Sequence, residues 1–152
     1  MQNIALINGP NLNILEQRKN NLYGTLTLKN INTNISNKFS KIINIKTFQS
    51  NHEGKLVDYI QETRNWSIGI LINASAFSHT SIAIHDAILD TKLPCVEIHL
   101  TNIYSREHFR HKSIISNACI GKISGFGAYS YELGIHALIN DLYNKGILEY
   151  KH

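Results

Sequence analysis

The sequence predicts an α/β fold, a doubly wound parallel sheet of five strands with helices on both faces. Three observations carry that reading. Short apolar runs of strand length alternate with longer stretches of helical periodicity, five times over. The runs "NIALI" (3–7) and "IGILI" (68–72) are apolar almost without break, as central parallel strands covered on both faces require. Polar, titratable residues collect after the strands, and right-handed crossovers bring those positions together at one end of the sheet.

The elements follow in order. After the first strand comes "NGPNLNILEQRKNNLYG" (8–24), a long stretch of Asn, Gly, Pro and charge that reads as a loop kept out of helix. Thr27 is an N-cap candidate, with Leu28, Ile31, Ile35, Phe39 and Ile42 at helical spacing behind it. A second strand, "IKTFQ" (45–49), leads to a helix over 53–64 whose apolar face holds Leu56, Val57 and Ile60. The strand at 68–72 is followed by a helix over 81–90. The strands "CVEIHL" (95–100) and "CIGKIS" (119–124) precede a last helix over 130–145, striped by Ile135, Leu138, Ile139 and Leu142 and closed by Gly146.

Composition narrows the classes. The 152 residues fit one domain, and 43% hydrophobic with 17% charged residues describes an ordinary globular chain. No apolar run reaches the roughly 18 to 20 residues of a membrane span, and "MQNIALING" has no export signal, so a cytoplasmic location is expected. Cys95 and Cys119 read as buried, reduced packing residues. The formal charge of +4 suits an anionic partner, but the basic residues are scattered and not interleaved with aromatics. That favours a small anionic metabolite over nucleic acid.

The strand-end loops hold the chemistry. Tyr23 follows Arg18 in the first loop. A tyrosine with a pKa of about 10 lies roughly 4 kcal/mol from being a phenolate at neutral pH. Cations within about 4–6 Å remove one to three units of that gap. In "VEIHL", Glu97 and His99 are two residues apart and share one face of the strand, so a carboxylate stands beside an imidazole suited to general acid work. Asn73, Ser78, His79 and Ser81 form a polar rim after the third strand. Other motifs fail. There is no G-x-S-x-G elbow for a Ser–His hydrolase, "HEGKL" (52–56) lacks the second histidine of a zinc helix, and "HFRH" (108–111) is weak as a metal site. "GFGAYS" follows the last strand, not the first, and ends in Ser130, which argues against a dinucleotide site.

Read together, "LINGPNLNIL", "R…YG", "QSNHEGKLVDYIQ", "INASAFSHTSIAIHDAI", "PCVEIHLTNIYSREHFR" and "GFGAYSYELG" resemble, block by block and in order, type II 3-dehydroquinate dehydratase. The resemblance covers nearly the whole chain. It implies a single catalytic domain (1–152) with a flavodoxin-like sheet of order 2-1-3-4-5. It also implies a hydro-lyase of the shikimate pathway that removes water from 3-dehydroquinate by anti elimination through an enolate, with no cofactor, metal or imine. Carried over residue by residue, it makes Tyr23 the base, held as phenolate by Arg18 and Arg106, and His99 the acid, backed by Glu97. Asn73, His79, Arg110, Asn11 and the backbone at Leu100 and Thr101 would bind the cyclic, anionic substrate. Asp86 would reach a neighbouring subunit's site in a homododecamer built from trimers.

The chain departs from that pattern in places. Glu16 stands for a lid glycine, Lys19 for an acid and Asn20 for a proline. Ala74 and Ser75 replace the Pro–Gly usual after the third strand, His85 an arginine, and Ser130 and Gly134 alter the start of the last helix. None removes a chemical group. An inactive or moonlighting relative, or a flavodoxin-like small-ligand binding domain, remains the alternative, to be separated by assay and by bound flavin colour.

Overall fold

The computed structural model describes residues 1–18 and 26–149. Five parallel strands form one sheet in the order β2-β1-β3-β4-β5. They are β1 (Asn3–Asn8), β2 (Asn44–Gln49), β3 (Ile70–Asn73), β4 (Cys95–His99) and β5 (Gly121–Ser124). The helices between and after them are α1 (Leu28–Phe39), α2 (Glu53–Thr63), α3 (Ile82–Thr91) and α4 (Tyr129–Asn144). The expected sheet order and helical crossovers are therefore present.

Strand alternation divides the core in two. Ile4 and Leu6 of β1 face one way, toward the cluster that holds Ile31 and Ile35 of α1 and Ile135 and Leu138 of α4. Ala5 and Ile7 face the other way, with Leu56 and Ile60 of α2 and Ile84 and Ile88 of α3. Gly134 explains how α4 lies so close to the sheet. A Cβ there would come within 2.3 Å of Ile98 Cδ1 and 2.6 Å of Leu71 Cδ1.

Caps fix the helix starts. The Asn30 backbone N–H donates to Thr27 Oγ1 at 3.0 Å, while Asn30 Oδ1 accepts from the Thr27 N–H at 3.2 Å. Ser81 Oγ accepts from the Ile84 N–H at 2.9 Å. α1 ends at Phe39, where Ser40 turns back on Asn37 through its hydroxyl, so Ile42 lies outside the helix and exposed. Gly146 closes α4 at a φ of 67°.

Two further sequence expectations change. The loop after β1 is not free of helix, because Leu12–Gln17 forms a 3-10 segment. It kinks at Ile14 (φ −118°, ψ 31°), and Leu12 and Leu15 on either side of the kink are both buried. Cys119 lies before β5 and is half-buried, while Cys95 is fully buried; neither forms a disulfide. Further 3-10 turns, at Ser75–His79, Ile103–Ser105, His108–Arg110 and Ser116–Ala118, follow β3 and β4.

At the opposite end of the sheet Trp66 leads into β3. It packs edge-on against Tyr59 at 5.9 Å, under the Lys46 ammonium at 4.8 Å, and Tyr59 stacks on Phe48. No helix among the described residues is long and apolar enough to cross a membrane.

Candidate active site

The carboxyl ends of β1, β3 and β4 open into a cleft, where ligands bind in open parallel sheets. Arg18, Asn73, His79, His99, Arg106 and Arg110 line it, with the chain at Leu100 and Thr101 forming one wall. Every one of these was singled out from the sequence. Asn11 and Asp86 do not line the cleft. Asn11 sits at a left-handed φ of 68°, its backbone N–H donating to Asn51 Oδ1. Asp86 is exposed on α3, where its carboxylate accepts from His85. Tyr23 lies outside the described residues, as do Lys19 and Asn20.

β4 delivers the strongest feature. Glu97 is wholly buried and His99 nearly so, and the imidazole Nε2–H donates to Glu97 Oε2. The same carboxylate accepts from Ser113 at 2.8 Å and from Ser116. Burial alone would raise the Glu97 pKa, but the His99 bond and charge and the two hydroxyls outweigh it, and the group lies below the ordinary glutamate value. With Nε2 engaged, His99 has Nδ1 left to act on a ligand.

His79 stacks on His99 with ring centroids 6.0 Å apart, and its Nδ1–H donates to the Lys112 carbonyl at 2.8 Å. Burial lowers the His79 pKa, aided by His99 and Arg110 and opposed by the Lys112 carbonyl and Glu97. A neutral imidazole with its Nδ1 proton fixed presents Nε2 as an acceptor for a substrate hydroxyl.

Three guanidinium groups surround this pair of imidazoles. Arg106 Nη1 donates to Thr101 Oγ1 at 3.2 Å, and Arg110 Nε to Glu107 Oε2 at 2.6 Å. Arg18 stands where the 3-10 segment ends, its backbone N–H donating to the Leu15 carbonyl at 3.3 Å. Cation density of this kind selects an anion and favours a phenolate over a phenol.

Asn73 ends β3 in a network the sequence did not reveal. Its Nδ2 donates to the Tyr131 hydroxyl at 2.9 Å, Tyr131 donates to Asn8 Oδ1 at 2.6 Å, and Asn73 Oδ1 accepts from the Ser75 N–H. One Nδ2 hydrogen and one Oδ1 lone pair remain for the cleft. Tyr131 is completely buried, and burial pushes its phenol well above the ordinary range, so it is a fixed neutral bridge. Ser75 holds a left-handed φ of 53°, a strained position that a glycine would occupy without cost.

Among the described residues no group of three or more His, Cys, Asp or Glu is placed to hold a metal ion.

Comparison with known proteins agrees with the resemblance read from the loops. The family model described as Dehydroquinase class II matches residues 2–139. A 3-dehydroquinate dehydratase of Prochlorococcus marinus (strain MIT 9515) is 53% identical over 94% of this chain and 99% of its own length. One from Acaryochloris marina is 53% identical over 91% of this chain and 94% of its own. The crystal structure of a type II dehydroquinase from Butyrivibrio crossotus superposes with a TM-score of 0.88 at 40% identity, covering 91% of this chain and 97% of that one.

Proposed function

The chain belongs to the class II dehydroquinase family, and on that premise we propose how its own residues divide the work of the reaction. The activity is that of a hydro-lyase: 3-dehydroquinate loses water to give 3-dehydroshikimate, a step of the shikimate pathway. Residues 1–152 are read as one catalytic domain acting in the cytoplasm.

Tyr23 is the base. As phenolate, beside Arg18 and Arg106, it takes the C2 proton, and the electron pair moves into the adjacent carbonyl as an enolate. Asn73 directs its remaining amide hydrogen toward that developing charge, through a water. The enolate then expels the C1 hydroxyl on the opposite face of the ring. His99 Nδ1 gives that oxygen its proton, so that water leaves and the imidazole becomes neutral. Arg110 and His79 take the ring hydroxyls, and the backbone at Leu100 and Thr101 takes the carboxylate, with Asn11 helping to shape the pocket. The observation that carries this reading is the buried Glu97–His99 pair opening onto a cleft walled by three arginines.

Tyr23→Phe tests it: turnover followed through the enone absorbance of the product should fall by at least about 10²-fold, with the melting temperature unchanged. Near-normal turnover would sink the assignment. Borohydride added with substrate should leave the enzyme active, and a covalent lysine adduct would contradict an imine-free route.

The assembly is read as trimers arranged in a dodecamer, with Asp86 reaching a neighbour's site. Its support is that Ile82, Asp86 and Leu89 are exposed together on α3. Light scattering after size-exclusion chromatography measures the mass directly.

A further inference from the structure

Glu97 is held by more than its histidine. Ser113 and Ser116 stand 16 and 19 residues beyond it, in the chain between β4 and β5, yet both return their hydroxyls to its carboxylate. Ser113 lies 3.0 Å from Oε1 and 2.8 Å from Oε2, Ser116 bonds Oε1, and His99 bonds Oε2. Three donors therefore converge on a side chain with no solvent access. That is more than alignment of an imidazole needs.

We propose that Ser113 and Ser116 are positioning residues that set the proton-donating strength of His99 by keeping Glu97 ionised. The inference rests on His99 being the acid of the reaction. The charge balance gives the reason. Before proton donation the pair is His99⁺/Glu97⁻, with no net charge. After Nδ1–H breaks and the departing oxygen gains the proton, the pair is neutral His99 and Glu97⁻, a net negative charge in a buried place. Hydroxyl donors stabilise that second state. Without them the carboxylate leans harder on the imidazolium, the proton is held more tightly, and the acid is weaker.

Other ionisable groups surround the pair. Cys95 precedes it on β4 and Lys122 is in register with Glu97 on β5. His79 stacks on His99, and Arg18, Arg106 and Arg110 line the cleft. The residues of α2 and α3 buried on this face are uncharged, among them Leu56, Ile60, Ile84, Ala87 and Ile88. The cations line the substrate side of the pair. Among the described residues, only the two serines reach the carboxylate from behind.

The experiment combines pH–rate profiles with nitrogen-15 histidine NMR on the full-length enzyme, for wild type, Ser113→Ala/Ser116→Ala and Ser113→Thr/Ser116→Thr. His99→Ala assigns the resonance. In the alanine pair kcat should fall about tenfold or more, KM should stay within about twofold, and the alkaline limb should move up by about one pH unit. The His99 signal should titrate with the same upward shift. The threonine pair keeps both donors and should keep the wild-type profile and signal. An alanine pair with the wild-type limb and resonance overturns the proposal, as does a threonine pair that loses as much as the alanine pair. If His99→Ala itself remains active, the reading of His99 as acid fails, a separate outcome from failure of the clamp.

Discussion

The two sides of the cleft are built by different means. On the β4 side, His99 is set by a sheet strand, a buried carboxylate and two hydroxyls that close around it. On the β1 side, the chain that leads to Arg18 is a six-residue 3-10 segment fastened by Leu12 and Leu15, with its start pinned to neighbouring strands. Gly9 donates to the Asn73 carbonyl at 2.8 Å, and Gln49 Nε2 donates to the Gly9 carbonyl at 3.1 Å. His99 is positioned through a carboxylate that three donors hold. The arm that ends at Arg18 is positioned at its root and by two leucines. Bonding is concentrated where charge is buried.

The root is the place to break that arrangement. A Cβ on Gly9 would meet the Ala74 carbonyl oxygen at 2.5 Å and its carbon at 2.6 Å, both backbone atoms. Gly9→Ala should cost about 1–3 kcal/mol of stability in urea melts and should lower kcat as well, because it displaces Asn73. A stability loss with kcat intact would show that the arm and Asn73 are uncoupled.

The β4 side shows itself in pH dependence. The folded-state pKa of Glu97 lies below its unfolded value, so on acidification the unfolded chain takes up the proton first. Its stabilising contribution is complete above the ordinary glutamate range and is lost as pH falls through the lowered folded value. Urea melts from about pH 7 to about pH 3 should show wild type losing stability faster than Glu97→Gln. Parallel curves would mean that the buried pair does not shift Glu97.

Between the two sides lies Asn73. Tyr131→Phe removes its anchor and should lower kcat by the equivalent of about 1 kcal/mol with little change in KM. Combined with Asn73→Ala, the loss should be less than additive. A smaller effect of opposite sign is expected at Ser75, where Ser75→Gly relieves a left-handed residue and should raise the melting midpoint by the equivalent of up to about 1 kcal/mol.

Much of this was legible in the sequence, for definite reasons. The strands and helices announce themselves through apolar period, and Glu97 with His99 through the two-residue repeat of a strand. The 3-10 turns carry too few residues for a period, and Leu12–Gln17 is revealed only by the burial of its two leucines. Ser113 and Ser116 lie in "KSIIS", which says nothing of a carboxylate on the preceding strand. The bond from Tyr131 to Asn8 spans 123 residues and depends on α4 settling against the sheet, which Gly134 permits. Contacts within an element can be read locally; contacts closed by the fold cannot.

Trp66 is the sole tryptophan of the chain, and it sits at the end of the sheet away from the cleft, between Tyr59 and Lys46. Its emission is therefore a built-in optical reporter of unfolding that ligand occupancy leaves nearly silent. Denaturation can be followed without a label in the presence of saturating substrate analogue, and a fluorescence change on ligand addition would mean that the far end of the sheet responds to events at the near one.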